Sequence, residues 1–125
     1  MRGSLHGRSV LVAEDEPLIA LDIAHAFQAA GANVMTAGTL KRAIEVVEGK
    51  NVSAAVLDHL LGDGDSDDLC GRLNADKIPF VIYSGFADTS HECKKAPHVA
   101  KPANPSVLVD LVAKLIVNGR PPPTA

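Results

Sequence analysis

Short runs of consecutive apolar residues recur along the chain, each closed by a polar or glycine-rich turn and separated from the next by a stretch with helical spacing. Ser9–Ala13, Asn33–Ala37, Ala54–Asp58, Pro79–Tyr83 and Pro97–Ala100 read as strands, and the unbroken apolar character of the inner runs suits strands covered on both faces. Pro17 opens a helix over Leu18–Ala30 with apolar residues at Leu18, Leu21, Ile23, Ala24 and Phe27, stopped by Gly31. Thr39 caps a second helix, whose inner stripe is Leu40, Ala43, Ile44 and Val47 up to Gly49. A weakly patterned helix follows from about Ser66 to Asn74, and Ala87–Lys95 holds a helix of about two turns at most. Asn104-Pro105 opens a last helix with Val107, Leu108, Leu111, Val112, Leu115 and Ile116 on one side and Gly119 at its stop. Strands alternating with helices require parallel pairing through right-handed crossovers. The expected fold is therefore doubly wound α/β, with a five-stranded parallel sheet, flanking helices, and a fourth helix that is shortened or irregular. Residues 1–8 read as a flexible leader, 9–117 as the domain, and 118–125 as a proline-rich tail.

Composition narrows the function. With 125 residues, 46% of them hydrophobic, the chain supports one domain with a proper core and leaves little room for a second. A net charge of −3 provides no broad basic surface, which argues against nucleic-acid binding as the main activity. Aromatics at 3%, with no Trp, also disfavour a stacking platform for single strands. Cys70 and Cys93 have neither CxxC spacing nor the density of a disulfide scaffold, and no secretory segment precedes the first strand, so a reducing cytoplasm is expected. No apolar run approaches the roughly 18 residues of a membrane span.

The chemistry gathers at the strand ends. Glu14-Asp15 follow the first strand, Asp58 ends the third, Ser84 follows the fourth and Lys101 the fifth. In an open α/β sheet the carboxyl ends of the strands border the ligand crevice, so all of these can meet there. Taken singly, Asp58 and Ser84 are ordinary caps and Lys101 an ordinary surface lysine; apolar packing does not explain all of them together. Clustered carboxylates repel one another unless a divalent cation joins them, and a hard ion such as magnesium takes few carboxylates plus waters and phosphate oxygens. A lysine and a hydroxyl at the same rim can bind the remaining phosphate oxygens. Asp58 is then placed as a nucleophile forming an aspartyl phosphate.

The set Glu14-Asp15, Asp58, Ser84-Gly85 and Lys101-Pro102, spread over residues 9–117, resembles the receiver domain of two-component response regulators, a flavodoxin-like fold. The resemblance implies that Asp58 is the phosphoacceptor and that magnesium or manganese is held directly by Asp15 and Asp58, by the Leu60 carbonyl, and by Glu14 largely through water. It implies that Ser84, with Gly85 beside it, moves to the phosphoryl group and that Lys101 binds it. The implied phosphodonor is a sensor histidine kinase or a histidine phosphotransfer protein, and the implied output is contact with a downstream protein target. No direct nucleic-acid or membrane partner is expected, and the chain is expected to be a monomer or weak homodimer in the cytoplasm. Because no output domain follows the last helix, the resemblance is to a stand-alone receiver. Catalysis is limited to self-phosphorylation and slow autodephosphorylation.

The chain also departs from the family pattern. Gly62 stands where the family usually has proline after the phosphoacceptor, which predicts a more flexible loop. His98 stands where an aromatic switch residue is usual, and the stretch from Ser84 to Lys101 is short. Ala87–Pro97 is expected to have little apolar area holding it and to order only with phosphate or a partner bound. His59 can tune access to Asp58, although an exposed loop histidine without a role is commoner. His91 with Cys93 is a weak hint of a metal. Two other functions fit less well: a phosphorylation-independent binding module, against which Asp58 and Lys101 count, and a metal-dependent phosphohydrolase, which lacks a second acid because position 60 is Leu.

Overall fold

The computed structural model describes residues 4–85 and 92–118. Its elements are β1 Ser9–Ala13, α1 Pro17–Ala29, β2 Asn33–Ala37, α2 Leu40–Gly49, β3 Ala54–Leu57, α3 Asp67–Ala75, β4 Phe80–Ser84, β5 His98–Ala100 and α4 Pro105–Asn118. The five strands form one sheet in the order β2-β1-β3-β4-β5, parallel throughout. This is the doubly wound α/β fold expected from the apolar runs.

Strand alternation divides the core into two layers. Leu11, Leu57, Phe80 and Ile82 face Ala43 and Val46 of α2 and Leu69 and Leu73 of α3. Val10, Val12, Val56 and Val81 face Ile23 and Phe27 of α1 and Leu108 and Val112 of α4. Because β1, β3 and β4 are buried on both faces, their sequences carry no polar alternation, and polar residues appear only where the strands end.

Several expectations are corrected. Residues 4–8 are not a loose leader: Leu5 is 1% exposed within the α1–α4 layer, and its N–H donates to the Ala30 carbonyl at 2.9 Å. Gly31 makes this crossing possible. Its φ is +97°, and a Cβ there would lie 3.0 Å from the His6 Cα. The loop after β3 folds as a small antiparallel hairpin, Leu60–Leu61 against Gly64–Asp65, where only a loop was expected. Of the helix expected over Ala87–Lys95, the described part is a 3-10 turn at Cys93–Lys95. Residues Ala87–His91, the stop at Gly119, the tail beyond it and Met1–Gly3 lie outside the described residues. The described residues thus hold four α-helices instead of five.

The cysteines, whose spacing and number suggested no disulfide scaffold, form a disulfide between α3 and the 3-10 turn, Cys70 to Cys93, with their Cα atoms 5.2 Å apart. Among the described residues no helix is long and apolar enough to cross a membrane.

The packing of Leu5 carries a stability prediction. Leu5→Ala should cost about 2–5 kcal/mol, the usual range for truncating a fully buried leucine. Urea unfolding monitored by circular dichroism measures it, and an unchanged midpoint would return residues 4–8 to the role of a leader.

Candidate functional site

The strand register brings the polar ends together. Ala13 lies level with Leu57, Leu57 with Ile82, and Ser84 with Ala100. The ladder continues one residue beyond the strands: the Asp58 N–H donates to the Ala13 carbonyl at 2.9 Å, and the Lys101 N–H to the Ser84 carbonyl at 3.0 Å. Glu14, Asp58 and Lys101 are therefore set by backbone pairing before any side-chain contact forms.

Lys101 Nζ donates to Glu14 Oε1 at 2.8 Å and to Asp58 Oδ2 at 3.2 Å. Glu14 is buried, Asp58 and Lys101 are partly buried, and Asp15 is exposed. One carboxylate oxygen from each of Glu14, Asp15 and Asp58 lies within 4.8 Å of the others. Among the described residues the Lys101 ammonium bonds two of these three carboxylates, and together they form an all-oxygen donor set that fits a hard divalent cation such as magnesium or manganese. Burial pushes the Glu14 carboxyl above the ordinary glutamate range. The hydrogen bonds from Lys101 and from the Glu16 N–H oppose this, and the charge of Asp58 adds to it. Burial pulls Lys101 down, but its hydrogen bond to Glu14 and the charges of Asp58 and Glu14 outweigh that, and its pKa is raised. Burial sets the first direction, and the pairing of one cation with two anions sets the second.

Three supporting residues were not visible in the sequence pattern. Tyr83, buried at the end of β4, donates its hydroxyl to the Ala103 carbonyl (3.2 Å) and accepts from the Ala103 N–H (2.9 Å). The Lys101 ammonium lies 5.5 Å from the centre of its ring, within cation–π range. Tyr83 therefore touches both the Lys101 ammonium and the Ala103 backbone, and the Lys101–Pro102 bond between them is cis. Ser66, fully buried, donates its hydroxyl to the Asp58 carbonyl at 2.6 Å. Asp63 accepts from the Leu40 N–H at 2.6 Å and the Lys41 N–H at 3.0 Å, capping α2 from a distance. The Thr39 hydroxyl accepts only from the Arg42 N–H, so the local cap leaves those two donors open for Asp63. Asp63 ties the hairpin containing Leu60 to α2.

The remaining candidates are placed as follows. Ser84 is buried at the end of β4, Gly85 is exposed beside it, and His98 is exposed on edge strand β5. His59 is partly buried and its Nδ1 has no hydrogen-bond partner among the described residues. Cys93 is committed to the disulfide, which removes the hint of a metal with His91; His91 lies outside the described residues.

The sequence model of the response regulator receiver domain matches residues 10–113. The transcriptional regulatory protein TcrA of Mycobacterium tuberculosis is 33% identical over 76 residues, which is 61% of this chain and 30% of that protein. Among solved structures, the receiver domain of the Francisella response regulator 1452 superposes with a TM-score of 0.78 at 24% identity, covering 90% of this chain and 99% of that one. The receiver domain of the sensor histidine kinase PA1611 from Pseudomonas aeruginosa, which has a magnesium ion coordinated in its active site cleft, superposes with a TM-score of 0.78 at 20% identity and the same coverage.

Asp63 yields a prediction with a defined sign. The Leu40 and Lys41 amides hold its carboxyl below the ordinary aspartate range. A lowered folded-state pKa contributes stability above the unfolded value, about 3.9, and that contribution is lost as pH falls through the folded value. Asp63→Asn should therefore lower the melting temperature at neutral pH, and the gap from the parent should close on acidification. A gap of constant size across that range would show that the charge of Asp63 contributes nothing.

Proposed function

Because this chain belongs to the response regulator receiver domain family, a phosphoacceptor module of two-component signalling, we propose that Asp58 takes the phosphoryl group and that Glu14, Asp15, Asp58 and the Leu60 carbonyl hold magnesium or manganese. The contact that best supports this reading is Lys101 Nζ lying between Glu14 and Asp58 at the carboxyl ends of the strands. The functional unit is residues 9–117 together with the strap at 4–8. Its phosphodonor is a sensor histidine kinase or a histidine phosphotransfer protein, and a cytoplasmic location goes with that role.

An Asp58 carboxylate oxygen attacks phosphorus in line, the N–P bond of the phosphohistidine breaks, and its electron pair returns to the imidazole, which takes up a proton. Magnesium bound at the carboxylates would neutralise charge on the transferring group. Lys101 begins on Asp58 and moves to a phosphate oxygen as the carboxylate charge passes to the phosphoryl group, which carries about −1.5 to −2 charges near neutral pH. Ser84 supplies a hydroxyl donor to another phosphate oxygen, and its inward movement with Gly85 is the signal. His98 follows that movement where an aromatic ring is usual. Its inward position requires a hydrogen-bond partner for the imidazole. The output is contact with a downstream protein. Activity of the chain itself stops at phosphorylation of Asp58 and slow autodephosphorylation.

The docking face for the donor is the groove between α1 and the segment after β5, beside Lys101. Leu18, 75% exposed, and Leu21, 51% exposed, border it with Pro102 and Pro105. An amphipathic helix from the donor could cover these leucines while bringing its phosphohistidine to Asp58.

Incubation with magnesium and acetyl phosphate, followed by intact mass, tests this reading. One phosphoryl group should add, and Asp58→Asn should abolish the addition. Absence of any adduct from any small donor would favour a binding module that works without phosphorylation. Glu14→Gln should weaken magnesium binding about ten- to a hundredfold, the usual effect of losing an outer partner of a metal site; Asp15→Ala should weaken it further. Equal magnesium titrations for parent and Asp15→Ala would refute the ligand assignment. Lys101→Arg should retain phosphorylation yet fail to signal in a reconstituted relay, because a planar fork does not replace a point charge in a tight crevice.

A further inference from the structure

We propose that Cys70 and Cys93 are a reversible thiol–disulfide modification site, whose substrate is a low-molecular-weight disulfide of the glutathione class and whose oxidation state sets how readily the phosphoacceptor loop responds. The coupling to Asp58 rests on the phosphoacceptor reading above; the thiol chemistry does not.

The placement of the pair carries the inference. Cys70 lies one turn into α3, and its N–H donates to the Ser66 carbonyl at 2.8 Å. Cys93 lies in the 3-10 turn, and its Sγ is 3.5 Å from that same carbonyl oxygen. The Ser66 hydroxyl in turn holds the Asp58 carbonyl. Cys70 through its backbone and Cys93 through its sulfur therefore both meet Ser66, the residue that holds the Asp58 carbonyl. The 3-10 turn also belongs to the connection that runs from Ser84 to Lys101, so one bond joins the two sides of the site.

The turn has docking contacts apart from the bond. Asp67 Oδ1 accepts from the Glu92 N–H at 3.0 Å, and Asn74 Nδ2 donates to the Glu92 carbonyl at 3.1 Å and to Glu92 Oε1 at 3.2 Å. These hydrogen bonds can hold the turn on α3 when the cysteines are reduced, and the Cys93 thiol can then donate to the Ser66 carbonyl. Reduction thus leaves a docked turn that can detach fully, whereas oxidation leaves one that can break these hydrogen bonds but stays tethered to α3. Both cysteines are buried, so exchange in either direction proceeds through local opening of the turn.

The chemistry balances with the stated oxidant. One cysteine thiolate attacks a sulfur of the external disulfide, breaking that S–S bond and releasing one thiol. The other thiolate then attacks the resulting mixed disulfide and releases the second. The protein loses two protons and two electrons, and the oxidant gains both as two thiols. The oxidised form ties the connection to α3, and we expect it to favour the unphosphorylated arrangement.

The test equilibrates the full chain in reduced and oxidised glutathione and traps free thiols by alkylation. Folded protein should interconvert between a form with no alkylated cysteine and a form with two, whereas Cys70→Ala and Cys93→Ala should each stop at a mixed disulfide with glutathione. The reduced form should take phosphate from acetyl phosphate at least about fivefold faster than the oxidised form, the lower end of ordinary coupling between sites. It should also show faster amide exchange over residues 58–66 and 92–95. The double variant Cys70→Ala/Cys93→Ala should match the reduced form and ignore the oxidant. A bond that opens only on global unfolding would overturn the proposal, and so would identical exchange in the two forms. Equal labelling of both forms on Asp58 would overturn the coupling alone. Labelling of neither would count against the phosphoacceptor reading, leaving amide exchange to decide the thiol site.

Discussion

Compensation of the buried Glu14 carboxylate by Lys101 is the constraint on which the site depends. Glu14 is 4% exposed, and the partner that reaches it comes from the far end of the chain, 87 residues on. Removing Lys101 would strand Glu14, whereas removing Glu14 leaves Lys101 its bond to Asp58; a lost partner of a fully buried pair costs about 3–5 kcal/mol, an upper bound for this partly exposed lysine. The lysine must therefore be delivered accurately, and β5 delivers it through parallel pairing with β4, reinforced by Tyr83 on the Ala103 backbone. Among the described residues the same lysine bonds two of the three carboxylates, and the cluster is an all-oxygen donor set that fits a hard cation.

The second requirement is that Asp58 stay at a fixed height above the sheet. Its N–H is held by the β1 ladder and its carbonyl by the Ser66 hydroxyl, so both backbone groups are satisfied within the protein. Beyond Ser66 lie α3 and, through Cys70, the turn at Cys93. On the other side the hairpin is anchored by Asp63 to the first turn of α2. The position of the Asp58 carboxylate is thus set by elements on opposite sides of the loop.

What could be read from the sequence follows from the range of the interactions. Glu14, Asp15, Asp58, Ser84 and Lys101 stood out because each interrupts or ends an apolar run, and a parallel sheet brings such ends together whatever the crossover lengths. The sheet itself was legible for the same reason. Leu5, Asp63, Ser66 and the Cys70–Cys93 pair gave no local signal. Leu5 is packed by a chain crossing at Gly31, Asp63 caps a helix 22 and 23 residues earlier, and the cysteines are 23 residues apart. Spacing rules describe neighbours along a helix or strand, and these contacts join different elements. The segment read as a short helix around Ala87–Lys95 held too few apolar positions to define a face, and its described part is a single 3-10 turn.

The glycine at position 62 shows how a constraint can move from the chain to its surroundings. Proline there would limit the loop through its own ring, by fixing φ. A Cβ at Gly62 would meet nothing within 4 Å, so packing does not demand glycine; Gly64, with φ of +145°, is the position where the hairpin needs it. Freedom at 62 is instead opposed by Asp63 next to it, whose two oxygens bind two amides of α2, and by the hairpin pairing of Leu60–Leu61 with Gly64–Asp65. A ring holds a loop under all conditions. A carboxylate on two amides holds it only while charged and while the first turn of α2 is intact, so the loop that carries Leu60 is coupled to α2 in a way that a proline would not impose.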